Sequence, residues 1–167
     1  MTLNSQTTSV DIQISPIFSR SITRSWIDKV MKQVIEMEYG SRDLEISVVI
    51  TNDEVMKNLN LRFMGYDETT DVLAFPMEDS LNPDSQTYVQ FPAIYEHTVQ
   101  LGEIIVSYPQ AKKQAALAKK TIKSEILLLL VHGFLHLIGY DHAHPIEKED
   151  MWRKQNEIIA TISGNQE

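Results

Sequence analysis

The chain has 167 residues, with 15 Lys and Arg against 23 Asp and Glu, so its formal net charge is −8. Its length suffices for one domain with a sizeable core, and the absence of cysteine excludes disulfides. The N-terminus lacks both a basic start and an apolar stretch, and the longest apolar run is shorter than the roughly 20 residues that a membrane-spanning helix needs. We therefore expect a single domain over residues 1–167, with its core over about 10–162, in a cytoplasmic protein that contacts no membrane.

The first part of the chain predicts a strand, a helix and a second strand. Apolar and polar residues alternate over 10–14 and over 44–50, as in half-buried strands. Between them, over about 21–39, apolar residues recur every three to four positions, which predicts an amphipathic helix. Gly40 then stands where a helix-ending glycine belongs.

A capping pattern and a short strand are predicted next. Thr51 and Glu54 have the spacing of a capping box, in which two side chains satisfy unpaired amides at a helix start, so a helix is predicted from there to about Phe63. Residues 71–77 predict a third strand. Residues 78–98 show no clear periodicity and predict an excursion over the surface.

The second half of the chain predicts one more strand and several helices. The strand covers 101–108, and Pro109 suits the first turn of a helix. A break near Thr121 precedes a very apolar helix that ends before Gly139, and Pro145 opens a last amphipathic helix. The whole pattern predicts an α+β fold, a single domain in which a roughly four-stranded mixed sheet is packed by about five helices.

Four of the five histidines lie within thirteen residues near the end of the apolar helix. His132 and His136 are four positions apart, so both side chains project from one helix face with Cβ atoms roughly 5–6 Å apart. Gly139 can adopt the left-handed conformation that reverses the chain, which would return His142 toward them. The spacing predicts a metal centre on the penultimate helix and the turn that follows it.

Three neutral imidazoles favour a borderline first-row ion, and we expect one Zn²⁺ per chain, held by His132, His136 and His142. Three protein ligands leave a fourth position open for water, which is typical of catalytic zinc. His144 could be a fourth ligand or a proton shuttle, but the interpretation that we favour for it, and for His97, is an exposed residue.

The residue after the first histidine is Gly133, which argues against one class of zinc peptidases with the same ligand spacing. Those peptidases need a glutamate there as general base. A metallohydrolase of peptides or small molecules stays an alternative, with its base drawn from Glu125, Asp141 or Glu103. A glycine within a helix costs roughly 1 kcal/mol relative to alanine, and beside a metal ligand it would open space for a bulky substrate.

The sequence contains HGFLHLIGYDH over 132–142, TDVLAFP over 70–76 and LGEIIV over 101–106, and in these three segments it resembles the YbeY family of bacterial endoribonucleases and rRNA maturation factors. The family signature H-G-x-L-H-L-x-G-Y-D-H stands here as HGFLHLIGYDH over 132–142. Two further family segments, T-D-V-L-S-F-P and L-G-D-I-x-I, stand as TDVLAFP over 70–76 and LGEIIV over 101–106. Ala74 and Glu103 depart from the family pattern, and neither is a predicted metal ligand.

The resemblance implies a zinc-dependent endoribonuclease that cleaves phosphodiester bonds in single-stranded rRNA. It implies a role in maturation of the 3′ end of small-subunit rRNA and in late ribosome quality control. The implied partners are rRNA, the small ribosomal subunit and ribosome-associated assembly proteins, and not DNA. An assembly factor without catalytic activity is a further alternative, in which His144 or Asp141 would close a structural zinc site.

The resemblance also assigns roles to individual residues. The three histidines carry over as ligands, and His132 is expected to be catalytic. The family has an important arginine shortly before the T-D-V segment, and Arg62 is assigned to it, since a guanidinium would stabilise the charge that develops on the phosphoryl oxygens. The nucleophile stays open between zinc-bound water and the RNA 2′-hydroxyl. Asp71 could orient a ligand or Arg62, or simply start a strand, and Glu103 is equally open.

Positive charge is concentrated in two segments despite the acidic total. Residues 109–123 contain five lysines and no acid, and residues 20–32 contain four cations against one acid. Either segment could face RNA or form a solvated helix face. The net charge of −8 argues against indiscriminate nucleic-acid binding.

Overall fold

The computed structural model describes residues 8–77 and 98–164. Its strands are β1 (Ser9–Ile14), β2 (Leu44–Thr51), β3 (Val72–Pro76) and β4 (Val99–Ser107). Its helices are α1 (Arg24–Tyr39), α2 (Asp53–Met64), α3 (Tyr108–Leu117), α4 (Ile122–Leu137) and α5 (Pro145–Gly164). The predicted α+β fold is confirmed, whereas the predicted surface excursion falls almost wholly outside the described residues.

The four strands form one mixed sheet in the order β1-β2-β4-β3. β1 pairs parallel with β2, and β2 pairs parallel with β4. Within the described residues, β3 lies at one edge of this sheet and runs antiparallel to β4. The carboxyl ends of the three parallel strands therefore share one edge of the sheet, and α2 and α3 begin there.

The two faces of the sheet carry different helices, because neighbouring residues of a strand point to opposite faces. Leu73 packs with Met56 of α2 and Ile105 in a small cluster. Val72, the preceding residue of β3, is partly buried, packs against the main core and lies close to Gly133 of α4. It follows that α2 covers one face near the β3 edge, and α4 covers the other. The main core also includes buried residues of α1 and α5.

Gly133 lets α4 approach the sheet. A Cβ atom at this position would lie 2.8 Å from Cγ2 of Ile104 and 3.4 Å from Cγ2 of Val72. The expectation that the glycine opens space for a substrate is wrong, because the Ile104 side chain occupies that space. The glycine instead permits tight packing of helix on strand.

The start of α2 differs from the predicted capping box. Its N-cap is Asn52, whose side chain accepts a hydrogen bond from the Val55 amide at 2.9 Å. Thr51 is still in the sheet, where it pairs with Ser107. Continued strand pairing therefore moves the helix start by one residue.

Other predicted helix ends are confirmed. Thr121 caps α4 by accepting a hydrogen bond from the Ser124 amide, which places the predicted break there. Gly40 follows α1 with a φ of 65°. None of the helices within 8–77 and 98–164 contains an apolar stretch that could span a lipid bilayer.

Candidate metal centre

The structure brings His132, His136 and His142 together at the end of α4. The ring nitrogens that face the centre of the cluster all lie within 4.8 Å of one another. The Nε2 atoms of His132 and His136 are 3.1 Å apart. The His142 ring lies against that of His132, with ring centroids 5.9 Å apart.

Local backbone geometry explains this convergence. His132 and His136 share one face of α4, as their spacing predicts. The helix ends in hydrogen bonds from the Gly139 amide to the His136 carbonyl and from the Tyr140 amide to the Leu135 carbonyl. Gly139 has a φ of 99°, which reverses the chain and directs the following turn back toward the helix.

Burial and the two neighbouring histidines favour the neutral form of His136. Its pKa is lowered first by burial and then by the proximity of His132 and His142. A hydrogen bond with the Tyr140 backbone and the charge of Asp141 act in the opposite direction. Neutral imidazole is the form that binds metal, so the surroundings favour the metal-binding state.

His132 has a hydrogen-bonding partner on another helix. Its Nδ1 atom lies 3.0 Å from Oε1 of Gln155 in α5, and the Gln155 side chain is buried. No sequence pattern predicts this contact, because the two residues are 23 positions apart and belong to different elements.

The donor set fits a zinc ion. Two imidazole nitrogens bound to one tetrahedral zinc lie about 3.3 Å apart, given bond lengths of about 2.0–2.1 Å. The His132 and His136 nitrogens are already separated by 3.1 Å. Two such nitrogens approach this closely when a proton or a cation lies between their lone pairs, so the arrangement is chemically suited to a metal ion.

Neither candidate for a fourth ligand belongs to the cluster among the described residues. The Asp141 carboxylate accepts a hydrogen bond from the His142 amide at 2.6 Å, which shapes the turn. His144 is exposed, and its carbonyl accepts from the Lys148 amide at the start of α5. His97 lies outside the described residues.

Arg62 is not part of the histidine cluster. It is exposed in the last turn of α2, and its guanidinium lies 5.3 Å from the centre of the Phe63 ring. α2 and α4 cover opposite faces of the sheet, and no polar contact links Arg62 to a histidine within 8–77 and 98–164. The catalytic role of Arg62 stays a prediction.

Asp71 takes a structural position at the start of β3. Its carboxylate accepts hydrogen bonds from the Val72 amide at 2.8 Å and from the Gln114 side chain at 2.9 Å. Its carbonyl accepts from the Ser107 amide. These contacts favour the interpretation of Asp71 as a strand start.

Glu103 lies half-buried in β4, opposite Phe75.

Glu125 is a buried carboxyl group on α4. Only 7% of the residue is exposed. Its pKa is raised by burial, with Lys120 opposing the rise and Asp71 adding to it. Glu125 precedes His132 by two helical turns, which is too far for direct contact with the same small ligand.

The two basic segments are in contact where α4 begins. Lys123 at the start of α4 places its ammonium 5.9 Å from the ring centre of Trp26 in α1. Lys32 forms an ion pair with Asp28 at 2.9 Å. The contact joins the two segments, and an RNA-facing role for them stays a prediction.

Known proteins resemble this chain over most of its length. The family model described as Endoribonuclease YbeY matches residues 9–163. A protein named Endoribonuclease YbeY from Dehalococcoides mccartyi (strain ATCC BAA-2266 / KCTC 15142 / 195) is 36% identical over 150 residues, which cover 89% of this chain and 86% of that protein. A protein of the same name from Roseiflexus sp. (strain RS-1) is 31% identical over 159 residues, covering 95% of each chain.

A solved structure also shares the fold. The solution structure of TM1509 from Thermotoga maritima superposes with a TM-score of 0.62 at 26% sequence identity, covering 95% of this chain and 91% of that one. The predicted family resemblance is confirmed by the family match and by the sequence relatives. The chain belongs to the YbeY endoribonuclease family.

Proposed function

We propose that this chain is a metal-dependent endoribonuclease that cleaves phosphodiester bonds in single-stranded rRNA. The observation that carries the proposal is the convergence of three histidine nitrogens within 4.8 Å in a chain of this family. We further propose action at the 3′ end of small-subunit rRNA and in late ribosome quality control. The small ribosomal subunit and its assembly proteins are the proposed partners.

His132, His136 and His142 would hold the metal, for which we propose Zn²⁺. When bound, such an ion supplies Lewis-acid activation of a phosphate oxygen or of water. The protein's own part is to hold three neutral imidazoles with their nitrogens directed to one point. Two of the three stand on a helix packed tightly against the sheet, so their positions are fixed by the core.

We propose that Arg62 contacts the phosphate backbone of the substrate. A guanidinium donates two parallel hydrogen bonds to phosphate oxygens and stabilises the charge that develops on them. Because β3 is one of the two edge strands of the sheet that the described residues form, an RNA strand that passes around this edge could contact both faces of the sheet. Arg62 is exposed and has no acidic partner among the described residues, so its donors are available.

The two alternative functions have less support. A zinc peptidase needs a glutamate at position 133, and here even a Cβ atom would lie 2.8 Å from the Ile104 side chain. A structural zinc site needs four protein ligands, and the cluster within the described residues has three. Both observations favour a centre with an open position and a substrate other than a peptide.

The net charge of −8 fits a protein that reaches its RNA through the ribosome or a protein partner. Intrinsic RNA affinity depends on the number of phosphates that cations neutralise. An acidic protein whose cations are concentrated in two segments is expected to bind free RNA weakly.

The test is cleavage of a single-stranded rRNA fragment, with metal content assayed in parallel. Wild type should contain about one zinc and cut the RNA, and H132A should lose both properties. R62A should keep its zinc and lose about 100-fold in cleavage rate, the size expected for a lost charge-stabilising donor. R42A, which removes another exposed arginine, is the matched control and should cut normally.

Two outcomes would contradict parts of the proposal. If wild type binds zinc but cuts no RNA, even with small ribosomal subunits present, the nuclease function is wrong and an assembly role replaces it. If R62A cuts as fast as R42A, Arg62 is an ordinary surface residue.

A further inference from the structure

The side chain of Gln155 reaches from α5 to the back of the His132 ring. Its Oε1 atom lies 3.0 Å from Nδ1 of His132, and 8% of the residue is exposed. Gln155 is therefore shielded from water while it contacts a predicted ligand on the side away from the cluster.

We propose that Gln155 is a positioning residue that holds His132 in the tautomer able to bind metal. A neutral imidazole carries one N–H, and an amide oxygen only accepts hydrogen bonds. With the oxygen facing Nδ1, the proton stays on Nδ1 and the lone pair stays on Nε2. That lone pair faces Nε2 of His136 at 3.1 Å, inside the cluster.

The proton balance of the cluster shows why the tautomer matters. If the proton were on Nε2 of His132, it would point at Nε2 of His136 and form an ordinary N–H···N hydrogen bond. Neither of these two nitrogens could then bind a metal ion together with His142. In metal sites generally, a hydrogen-bond acceptor at the other ring nitrogen of a ligating histidine keeps the proton away from the nitrogen that binds the metal. Loss of such an acceptor weakens metal affinity about 10–100-fold.

Gln155 also fixes where the ring lies. The residue belongs to the face of α5 that is buried with Met151 and Ile158 against the core, so its amide has little freedom. Because α5 packs on α4, the contact ties the orientation of His132 to the docking of the C-terminal helix. The inference rests on the proposed metal centre, yet its main prediction concerns the metal-free protein.

The first experiment is long-range ¹H–¹⁵N NMR of metal-free, ¹⁵N-labelled protein at pH 8, with His132 assigned by comparison with H132N. Wild type should show the proton on Nδ1 of His132. Q155L, which keeps the volume and removes the acceptor, should shift His132 toward the Nε2–H tautomer that free histidine prefers. Q155E keeps an acceptor and should restore the Nδ1–H form.

The second readout is zinc affinity, measured by competition with a chelating dye. Q155L should bind zinc about 10–100-fold more weakly than wild type, and Q155E should recover most of the affinity. N156L, an exposed neighbour on the same helix, is the matched control and should bind as wild type does. Thermal unfolding of each variant establishes that α5 is still docked.

The outcomes separate this inference from the proposed function. An Nε2–H tautomer in folded wild type, or an unchanged tautomer and zinc affinity in folded Q155L, overturns the role of Gln155. If the tautomer and affinity change as expected but wild type cuts no RNA, the positioning role stands and the nuclease function fails.

Discussion

Two polar clusters flank the sheet, and they differ in whether their members form donor–acceptor pairs. In the first, the Asp53 carboxylate accepts hydrogen bonds from the hydroxyls of Ser107 at 2.6 Å and Thr69 at 3.2 Å, and from the side-chain Nε2 of Gln110 at 2.9 Å. In the second, three imidazoles turn the same kind of atom toward one another. The first cluster is complementary, whereas the second is made of like groups.

The difference separates a structural role from a binding role. The Asp53 cluster joins the starts of α2 and α3, the end of β4 and the segment that leads into β3. Every donor named there meets an acceptor, so the cluster needs nothing from outside. The histidine cluster is satisfied only when a proton or a cation is shared among its nitrogens. A polar cluster of like ligands therefore indicates a binding site, whereas a cluster of matched donors and acceptors indicates a structural contact between elements.

The largest expected effect tests the second cluster. H136A should reduce zinc content from about one per chain to near zero, because two histidines alone make a poor site. RNA cleavage should fall by about 100-fold or more. The free energy of unfolding of the metal-free variant should differ from that of metal-free wild type by about 1 kcal/mol or less, since the cluster is partly exposed. H144A is the control, and equal losses in both variants would contradict the comparison.

D53A tests the first cluster, with the reverse pattern expected. Removing the carboxylate leaves the part-buried donors of Ser107 and Gln110 unpaired, which should lower the free energy of unfolding by about 2–4 kcal/mol. Zinc affinity of the folded protein should stay near that of wild type. Urea unfolding and zinc titration measure the two quantities. D67A, at an exposed ion pair, should cost less than about 1 kcal/mol.

G133A probes the packing that supports the histidines. The added methyl would meet the Ile104 side chain at 2.8 Å, so either this side chain or α4 must shift. We expect a net loss of about 1–3 kcal/mol despite the higher helix propensity of alanine. A double-mutant cycle with I104A should show that the two changes compensate in part. If the two losses of stability are additive, the clash between residue 133 and Ile104 is not the cause of the G133A effect.

E125Q should have the smallest effect, and it depends on pH. A carboxyl group whose pKa is higher in the folded than in the unfolded protein contributes stability below the unfolded pKa of about 4.3 and loses it as the pH rises through the folded pKa. A neutral amide avoids burying the charge. E125Q should therefore gain up to about 1 kcal/mol over wild type at pH 8 and little at pH 4, by urea unfolding. An equal gain at both values would contradict burial as the cause.

Periodicity and spacing predicted much of this molecule because they report local physics. The alternation over 44–50 and the three-to-four spacing over 21–39 depend only on which side of a strand or helix is buried. The start of α2 was predicted wrongly, because pairing of Thr51 with Ser107 is a contact between distant segments. The space beside Gly133 was misjudged for the same reason, since Ile104 comes from another strand.

The candidate site divides in the same way. His132 and His136 were predicted from helical geometry, and Gly139 accounts for the return of His142. Gln155 could not be predicted, because its contact depends on how α5 packs on α4. The position of Arg62 also depends on topology, since strand order decides which face of the sheet each helix covers.

The contact between His132 and Gln155 has a consequence for the order of events during synthesis. The histidine is made 23 residues before its partner, so a growing chain contains both ligands of α4 while α5 is still missing. Elements of a domain become available to fold in the order in which they are made. In such a nascent chain His132 would be free to take either tautomer, and zinc would bind weakly. Docking of α5 would then complete both the fold and the metal centre, so tight metal binding would follow the completion of folding.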